Sequence, residues 1–323
     1  MKPLAAILPL LALPVLAFDS EAWFVKRAVL DREAERLQAA YTGCLARITA
    51  PAENLTLPIE SHPDGSVKSS VAAGSAQFFL DTGLIWGTNV VVRQFATNGA
   101  VEAEVAADSC VIDRTTKSGW VSGHARASYR QNELEGDGIY FSFAEEFVKI
   151  FSNAVIRVKG REEKFKKKEA HAAIGGGFGS RDARIVSTRA DYDRAAGVLL
   201  FEHDVRLSDP EYTLATDRLF VFLDGTNSLR RLVADGGVSI TNELRSGSCA
   251  RASYARAQGR VVMYGEDGAP AKLVEDGRRR NEVEGRKITF WLDSEQVEVE
   301  GAVLTVDGGM TGGKDGILGR MGK

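Results

Sequence analysis

Apolar residues recur with a period of two along most of this chain after Ser66, which is the spacing of side chains on one face of a β-strand. Dipeptides such as Asn98-Gly99 and Asp137-Gly138 separate these runs and supply turn chemistry. No long helical pattern interrupts the runs, whereas a parallel α/β sheet needs a helix between successive strands. The pattern therefore predicts an all-β chain of short antiparallel strands.

The strands fall into two series, and we expect two tandem β-units over residues 66–159 and 185–307. A charged and glycine-rich linker over residues 160–184 separates them, and residues 308–323 form a glycine-rich tail that we expect to be flexible. Several short matches between the two series predict an internal duplication. These matches are Ala125–Tyr129 with the identical Ala250–Tyr254, Ala76 and Gly83 with Ala190 and Gly197 at the same spacing, and Ala107-Asp108 with Thr216-Asp217.

The first residues have the pattern of an export signal. Lys2 supplies a positive charge, Leu4 to Leu16 form an apolar stretch, and Ala17 is a suitable cleavage position. We therefore expect residues 1–17 to be a signal peptide and the mature chain to reach the periplasm. An uncleaved membrane anchor is the alternative, although the uncharged stretch is shorter than the roughly 20 residues that span a bilayer.

Residues 18–50 carry apolar side chains at spacings of three and four, which predicts an amphipathic helix that ends at Pro51. Such a helix either docks onto a partner or packs on the body of its own protein, and we expect the second. The predicted apolar face consists of Leu30, Ala34, Leu37, Tyr41, Leu45 and Ile48.

No residue pattern in the chain indicates catalysis. The 4 histidines and 3 cysteines form no metal-binding or redox motif, and buried free thiols are the expectation for Cys44, Cys110 and Cys249. A net charge of −3 argues against nucleic-acid binding. We therefore expect no catalytic residue, metal or cofactor. Abundant carboxylates still leave open a polysaccharide-active β-roll enzyme with an acid pair, and a structural envelope protein is a further alternative.

The second series resembles the OstA-like family of lipopolysaccharide-transport proteins, and residues 76–158 resemble the same unit more loosely. The usual Gly-Asn-Val turn of the family is replaced by Thr88-Asn89-Val90 and His203-Asp204-Val205. In the second series the resemblance rests on Ala190-Asp191-Tyr192 to Gly197, Asp204-Val205, Ala215 to Leu219, Leu229 to Val238, Ala252-Ser253-Tyr254, Gly259 and Tyr264-Gly265. In the first series it rests on Gly83 to Val90, Ala107-Asp108, Gly123 and Ala127-Ser128-Tyr129.

The resemblance implies two tandem antiparallel β-jellyrolls, each open along one side, that hold the acyl chains of lipid A without catalysis. It also implies that other OstA-like proteins pair with exposed edge strands, for which Val155–Val158 and Val303–Val306 are the candidates. The apolar alternation predicts the residues of the lipid-binding groove. They are Leu84, Trp86, Val90, Phe141, Leu199, Phe201, Val205, Leu219, Val221, Ile240, Met263 and Phe290.

Overall fold

A computed structural model describes residues 19–129, 132–159, 182–224, 228–276, 280–292 and 296–304. The expectations for the signal peptide, nearly all of the linker and the tail lie outside these residues. Helix α1 (Ser20–Leu45) is followed by β1 (Ala52–Ser61), β2 (Val67–Phe79), β3 (Leu84–Phe95), β4 (Val101–Asp113), β5 (Ser118–Tyr129), β6 (Asn132–Ser142), β7 (Phe147–Val158), β8 (Ala183–Ser187), β9 (Arg189–Asp193), β10 (Val198–Ser208), β11 (Thr213–Leu223), β12 (Leu229–Thr241), β13 (Arg245–Ala255), β14 (Arg260–Tyr264), β15 (Ala271–Asp276), β16 (Arg280–Gly285), β17 (Lys287–Trp291), β18 (Val297–Glu300) and β19 (Val303–Leu304).

All pairs of named strands in the described chain are antiparallel. Each strand from β1 to β7 pairs with the next, β7 pairs with both β8 and β9, and these two pair with β10. Strands β10 to β13 continue the sheet. Beyond β13 the sheet divides into β14, β17 and β18 on one side and β15, β16 and β19 on the other. The predicted class, antiparallel all-β with an N-terminal helix, is confirmed.

The long strands bend at their midpoints, so that the sheet has two limbs. The helix-side limb carries residues 84–88 of β3 together with β9, β14 and β17, and the opposite limb carries residues 90–95 of β3 together with β8, β15 and β16. Residues with positive φ mark the bend, including Asn89 (48°), His203 (64°) and Asp204 (53°). The turn positions identified in the sequence thus form the corner of a folded sheet.

The bend changes which side chains face the interior. On β3, Ile85 faces the interior before the corner and Val90 and Val92 after it, whereas Trp86 faces the helix. Strict alternation would place Val90 on the same face as Trp86. The left-handed conformation of Asn89, which asparagine adopts more readily than most residues, interrupts the extended backbone and resets the alternation.

One hydrophobic cluster fills the space between the two limbs and extends through both units, from Val71 to Leu292. In the second unit it is closely packed, and Phe201, Leu219, Met263 and Ile288 are 0% exposed. The first and second units therefore share a continuous apolar interior.

Helix α1 packs on the other face of the helix-side limb, over a second cluster that includes Trp120, Tyr140 and Leu200. Leu30, Ala34 and Leu37 are buried as the helical pattern predicts, whereas Leu45, the last helical residue, is exposed. The helix begins at its cap Asp19, whose side chain accepts a hydrogen bond from the Ala22 N–H at 3.0 Å. The prediction that this helix packs on its own protein is confirmed. In the described part of the chain, no helix has the length and apolarity of a membrane span.

The sheet begins earlier than residue 66, because β1 pairs with β2 from Ala52 onward. Leu55, Leu57 and Ile59 pack against the interior cluster, which explains why the segment joins the sheet. Pro58 has no backbone N–H to donate. The sheet tolerates this missing hydrogen-bond donor because β1 is an edge strand.

Only some of the sequence matches that predict a duplication occupy equivalent positions in the structure. Gly83 and Gly197 both precede a strand that runs from the helix-side limb to the opposite limb. The repeated pentapeptide does not keep this relationship, because Ala125–Tyr129 lies on the opposite limb and Ala250–Tyr254 ends on the helix-side limb. The two copies of the identical pentapeptide therefore do not occupy structurally equivalent positions.

Candidate functional site: an apolar cavity between the limbs

A cavity opens between the two limbs of the first unit, close to its junction with the second. It encloses about 810 Å³ of empty space, its mouth included, and its walls are overwhelmingly apolar. Its walls are formed by Val92, Gln94, Ala103, Glu104, Val105, Ala127, Ser128, Tyr129 and Leu134 of the opposite limb and by Phe141, Ser142, Phe143, Glu146, Phe147, Val148, Tyr192 and Arg194 of the helix-side limb and its turns.

Two side chains connect the limbs at the mouth of this cavity. The guanidinium carbon of Arg194, from the turn after β9, lies 5.4 Å from the centre of the Tyr129 ring at the end of β5. Arg194 Nη1 is also 3.8 Å from Glu146 Oε1, and the Arg194 backbone N–H donates to the Glu146 carbonyl at 3.0 Å. The rim of the helix-side limb is thus held to the rim of the opposite limb by a cation–π contact.

A second connection lies at the beginning of the first unit. Lys117 Nζ, from the turn after β4, donates to Glu60 Oε1 of β1 at 2.8 Å. This hydrogen bond, together with Lys68, lowers the pKa of Glu60 from its ordinary value despite partial burial. Two polar contacts thus cross from one limb to the other, this one at the beginning of the first unit and the Arg194–Tyr129 contact beside the cavity.

A smaller cavity of about 320 Å³ lies in the second unit. It also separates residues of the two limbs, with Met263 and Phe290 on one side and Ile240 and Leu273 on the other. Because Met263 is 0% exposed and Phe290 5%, this cavity is a narrow gap in a packed core rather than an open groove.

The structure separates the twelve residues that the sequence assigned to a single groove. Phe141 lines the larger cavity, and Ile240, Met263 and Phe290 line the smaller one. Leu84 and Trp86 lie on the other face of the sheet beneath α1, because the corner at Asn89 reverses the alternation. The remaining six pack in the interior cluster away from both cavities: Val90, Leu199, Phe201, Val205, Leu219 and Val221.

Sequence reasoning missed most of the walls of the larger cavity. Val105 and Phe143 belong to recognised period-two runs, so their interior position was detectable. Tyr192 lies on β9, a short strand of the second unit, and Arg194 lies in the turn that follows this strand. Only the pairing of β7 with β9 brings the two residues to the cavity of the first unit. No local pattern carries that information.

The described residues offer little for covalent or metal chemistry. They contain no group of three or more His, Cys, Asp or Glu side chains placed to hold a metal ion. All three cysteines are buried free thiols, and burial raises the pKa of Cys110 and of Cys249 to about 12. A thiol with such a pKa stays protonated at neutral pH and is a poor nucleophile.

A buried ionic cluster lies beneath α1 where the two units meet. Asp191 of β9 contacts Arg27 of the helix and Lys149 of β7, and Arg27 also contacts Glu202. Burial raises the pKa of Asp191, and the nearby cations oppose that shift. The cluster faces α1 rather than a cavity, so it fixes the helix to both units and has no access to a ligand in the interior.

Comparison with known proteins identifies the second unit. Residues 184–296 match the family model described as LptA/(LptD N-terminal domain) LPS transport protein. The second unit is an OstA-like domain. The match covers less than half of the chain, and the first unit lies outside it. The OstA-like domain nevertheless contributes Tyr192 and Arg194 to the cavity of the first unit.

The other comparisons add little. No curated protein matches the chain. Among solved structures, the chain is similar to LptH of Pseudomonas aeruginosa, the LptA homologous periplasmic component of a lipopolysaccharide transport device. The similarity is 19% identity over 37% of this chain and 82% of that one, with a TM-score of 0.33. At this TM-score the similarity carries no argument beyond that of the family match.

Proposed function

We propose that this protein is a non-catalytic periplasmic component of lipopolysaccharide transport, which holds lipid A acyl chains in the cavity between the limbs. The observation that carries the proposal is the large apolar cavity at the border of the OstA-like domain. Burial of acyl chains there removes apolar surface from water on both the lipid and the protein. This burial favours binding by roughly 25 cal/mol per Å² of apolar surface removed from water. The periplasmic location rests on the signal-like residues 1–17, with a membrane anchor as the alternative.

The mouth of the cavity suits an amphiphile. Acyl chains would lie among Val105, Leu134 and Val148, while the polar head group would stay in water beside Arg194 and Glu146 at the rim. Ionic groups at a rim remain solvated, so the head group need not lose its hydration. The continuous interior cluster offers an apolar route from this cavity toward the second unit once its side chains rearrange.

Partner binding by strand addition belongs to the same proposal. Val155–Val158 is not available for it, because β7 pairs on one side with β6 and on the other with β8. Among the described strands, β1 pairs only with β2, β18 only with β17 and β19 only with β16. We expect another OstA-like protein to add a strand at one of these edges.

A photo-cross-linking amino acid tests the cavity. Placed at Leu134, which lines the cavity, it should form an adduct with lipopolysaccharide in cells; placed at Arg206, on the exposed outer face, it should not. Val105→Asp puts an unpaired charge in the cavity and should reduce the Leu134 adduct at least about tenfold. Val101→Asp is the matched control, since Val101 lies on the same strand and is 51% exposed.

Four results would contradict the proposal. Equal adducts at Leu134 and Arg206 would place no lipid in the cavity, and an unchanged Leu134 adduct in folded Val105→Asp would mean that the cavity walls do not bind it. Cleavage of envelope glycans by the purified protein would indicate the enzymatic alternative instead. A protein that carries no lipid and has no turnover would point to a structural role in the envelope.

A further inference from the structure

Five residues form a row across the outer face of the helix-side limb in the OstA-like domain. Phe222, Arg231, Ala255, Arg260 and Trp291 lie directly opposite one another on β11, β12, β13, β14 and β17. Their neighbours Leu232, Tyr254, Val261 and Phe290 point into the interior cluster, so this row points away from it.

The register fixes the spacing of the two arginines. Neighbouring strands are about 4.8 Å apart, so the backbones of Arg231 and Arg260 are separated by roughly 10 Å. The methyl group of Ala255 lies between them and leaves the space above it unfilled by a long side chain. Two long guanidinium side chains on such a spacing can reach a common anion.

Neither arginine has a counter-ion among the described residues. No ion pair or hydrogen bond of the Arg231 or Arg260 side chain occurs there, and the Arg260 Nε is buried without a hydrogen-bond partner. Burial lowers the pKa of Arg231, Tyr264 opposes this shift, and the positive charges of Arg230 and Arg260 add to it to a smaller extent. An unpaired buried donor and two adjacent like charges both cost stability.

A second row on the same face, four residues away along the strands, shows the usual arrangement. Asp235 lies between Arg218 and Arg251 and contacts both, at 2.5 and 2.8 Å. Lys287, at the other end of that row, pairs with Glu300. The sheet therefore neutralises its cations with carboxylates in this row and leaves the two arginines of the first row without any.

We propose that the row from Phe222 to Trp291 binds a phosphate group, held between the guanidinium groups of Arg231 and Arg260 over Ala255. Arginine forks match phosphate oxygens and form charge-assisted hydrogen bonds with them. The site is on the face opposite to the lipid cavity and does not depend on the proposed function. The phosphate can belong to a lipid head group or to a free phosphate ion, and the two sources are separable by experiment.

The experiment compares the full-length protein with Arg231→Gln/Arg260→Gln. Arg184→Gln/Arg206→Gln is the control, because it removes two charges from exposed positions on β8 and β10. Flotation with phosphatidylcholine vesicles, with or without phosphatidylglycerol, measures lipid phosphate binding. Thermal unfolding in sodium phosphate and in sodium chloride of equal ionic strength measures binding of free phosphate.

We expect the wild type and the control to bind phosphatidylglycerol vesicles, and the Arg231→Gln/Arg260→Gln variant to bind at least about tenfold more weakly. Stabilisation of the wild type by inorganic phosphate as well would show that the phosphate group alone suffices; its absence would assign the site to a lipid head group. In phosphate-free buffer, the variant should unfold at the same temperature as the wild type or higher, because it loses no ion pair and relieves a repulsion.

Two results would overturn this inference. One is equal binding of vesicles and of inorganic phosphate by the wild type and the Arg231→Gln/Arg260→Gln variant. The other is a lower unfolding temperature of the variant in phosphate-free buffer, which would mean that the arginines serve the fold. The Leu134 cross-link to lipopolysaccharide reports on the other face of the sheet, so failure of one proposal leaves the other testable.

Discussion

Lys149 of β7 and Asp191 of β9 lie directly opposite each other, with Lys149 Nζ 3.4 Å from Asp191 Oδ1, and both side chains are almost completely buried. One residue belongs to the last strand of the first unit and the other to the OstA-like domain. Asp31 and Arg27 of α1 complete the cluster from above. The junction of the two units is therefore fixed by a buried ion pair that also holds the helix.

Asp191→Asn tests the contribution of this cluster to stability. The substitution leaves Lys149 and Arg27 short of a buried counter-charge, which typically costs about 3 kcal/mol or more. Urea unfolding at neutral pH should show this loss. Asp81→Asn is the control, because the Arg47–Asp81 pair is exposed and should contribute less than about 1 kcal/mol. Equal, small losses in the two variants would mean that the cluster does not hold the junction.

The stability of the protein should depend on pH through Glu33 of α1. Arg36 donates two hydrogen bonds to this carboxylate, at 2.7 and 2.8 Å, and they lower its pKa in the folded state. A lowered folded-state pKa gives stability that is complete above the unfolded value of about 4.3 and is lost as the pH falls through the folded value. Glu33→Gln should therefore cost about 0.5 kcal/mol at pH 7 and almost nothing near pH 3.

Urea unfolding of Glu33→Gln and wild type at the two pH values measures this difference. Glu35→Gln removes an exposed carboxylate from the same helix and serves as the control. If the difference between wild type and Glu33→Gln were the same at both pH values, the Arg36 hydrogen bonds would not stabilise the folded state.

The sequence predicted the class of the fold because period-two alternation is a local property. The central helix residues Leu30, Ala34 and Leu37 were identified for the same reason, since their spacing alone defines a face. The corner of the sheet was harder to place. Asn89 and His203 are recognisable in the sequence as turn positions. The spacing of apolar residues does not show, however, that the side chains of one strand change faces at such a turn, so the sequence places Leu84 and Trp86 in the interior.

The candidate site was predictable only in part, because it depends on contacts between distant segments. Phe201 and Leu219 have strong apolar patterns and lie in the closed core, whereas the cavity is bounded by the weaker positions Tyr129 and Arg194. A cavity exists where packing is incomplete, and periodicity reports only that a side chain faces inward. A charge at Phe201 is therefore expected to unfold the protein rather than to report on lipid binding.

Engineered disulfides test the junction between the units. Val155 of β7 lies directly opposite Val186 of β8, so Val155→Cys/Val186→Cys should form a disulfide in the purified protein under mild oxidation. Val158→Cys/Leu199→Cys should not, because Val158 lies opposite Ala183 and Leu199 opposite Tyr192. Mobility on non-reducing gels measures both. A disulfide in the second variant alone would mean that the units meet in a different register.

The contact between Arg194 and Tyr129 should control how fast a lipid leaves the cavity. Because it joins the rims of the two limbs at 5.4 Å, its loss frees the mouth to open without removing any apolar wall. Cation–π contacts at partly exposed sites contribute about 0.5–1 kcal/mol, so Arg194→Gln should increase the dissociation rate of a fluorescent fatty acid roughly two- to fivefold.

Stopped-flow displacement measures this rate, and equilibrium unfolding checks that the variants stay folded. Tyr129→Leu should match Arg194→Gln, and the double variant should dissociate no faster than either, because both substitutions remove the same contact. Arg157→Gln is the control, since Arg157 pairs with Glu135 on the opposite limb at 2.8 Å and does not border the cavity. Additive effects of the two substitutions, or an equal increase in Arg157→Gln, would show that the mouth is not held by this contact.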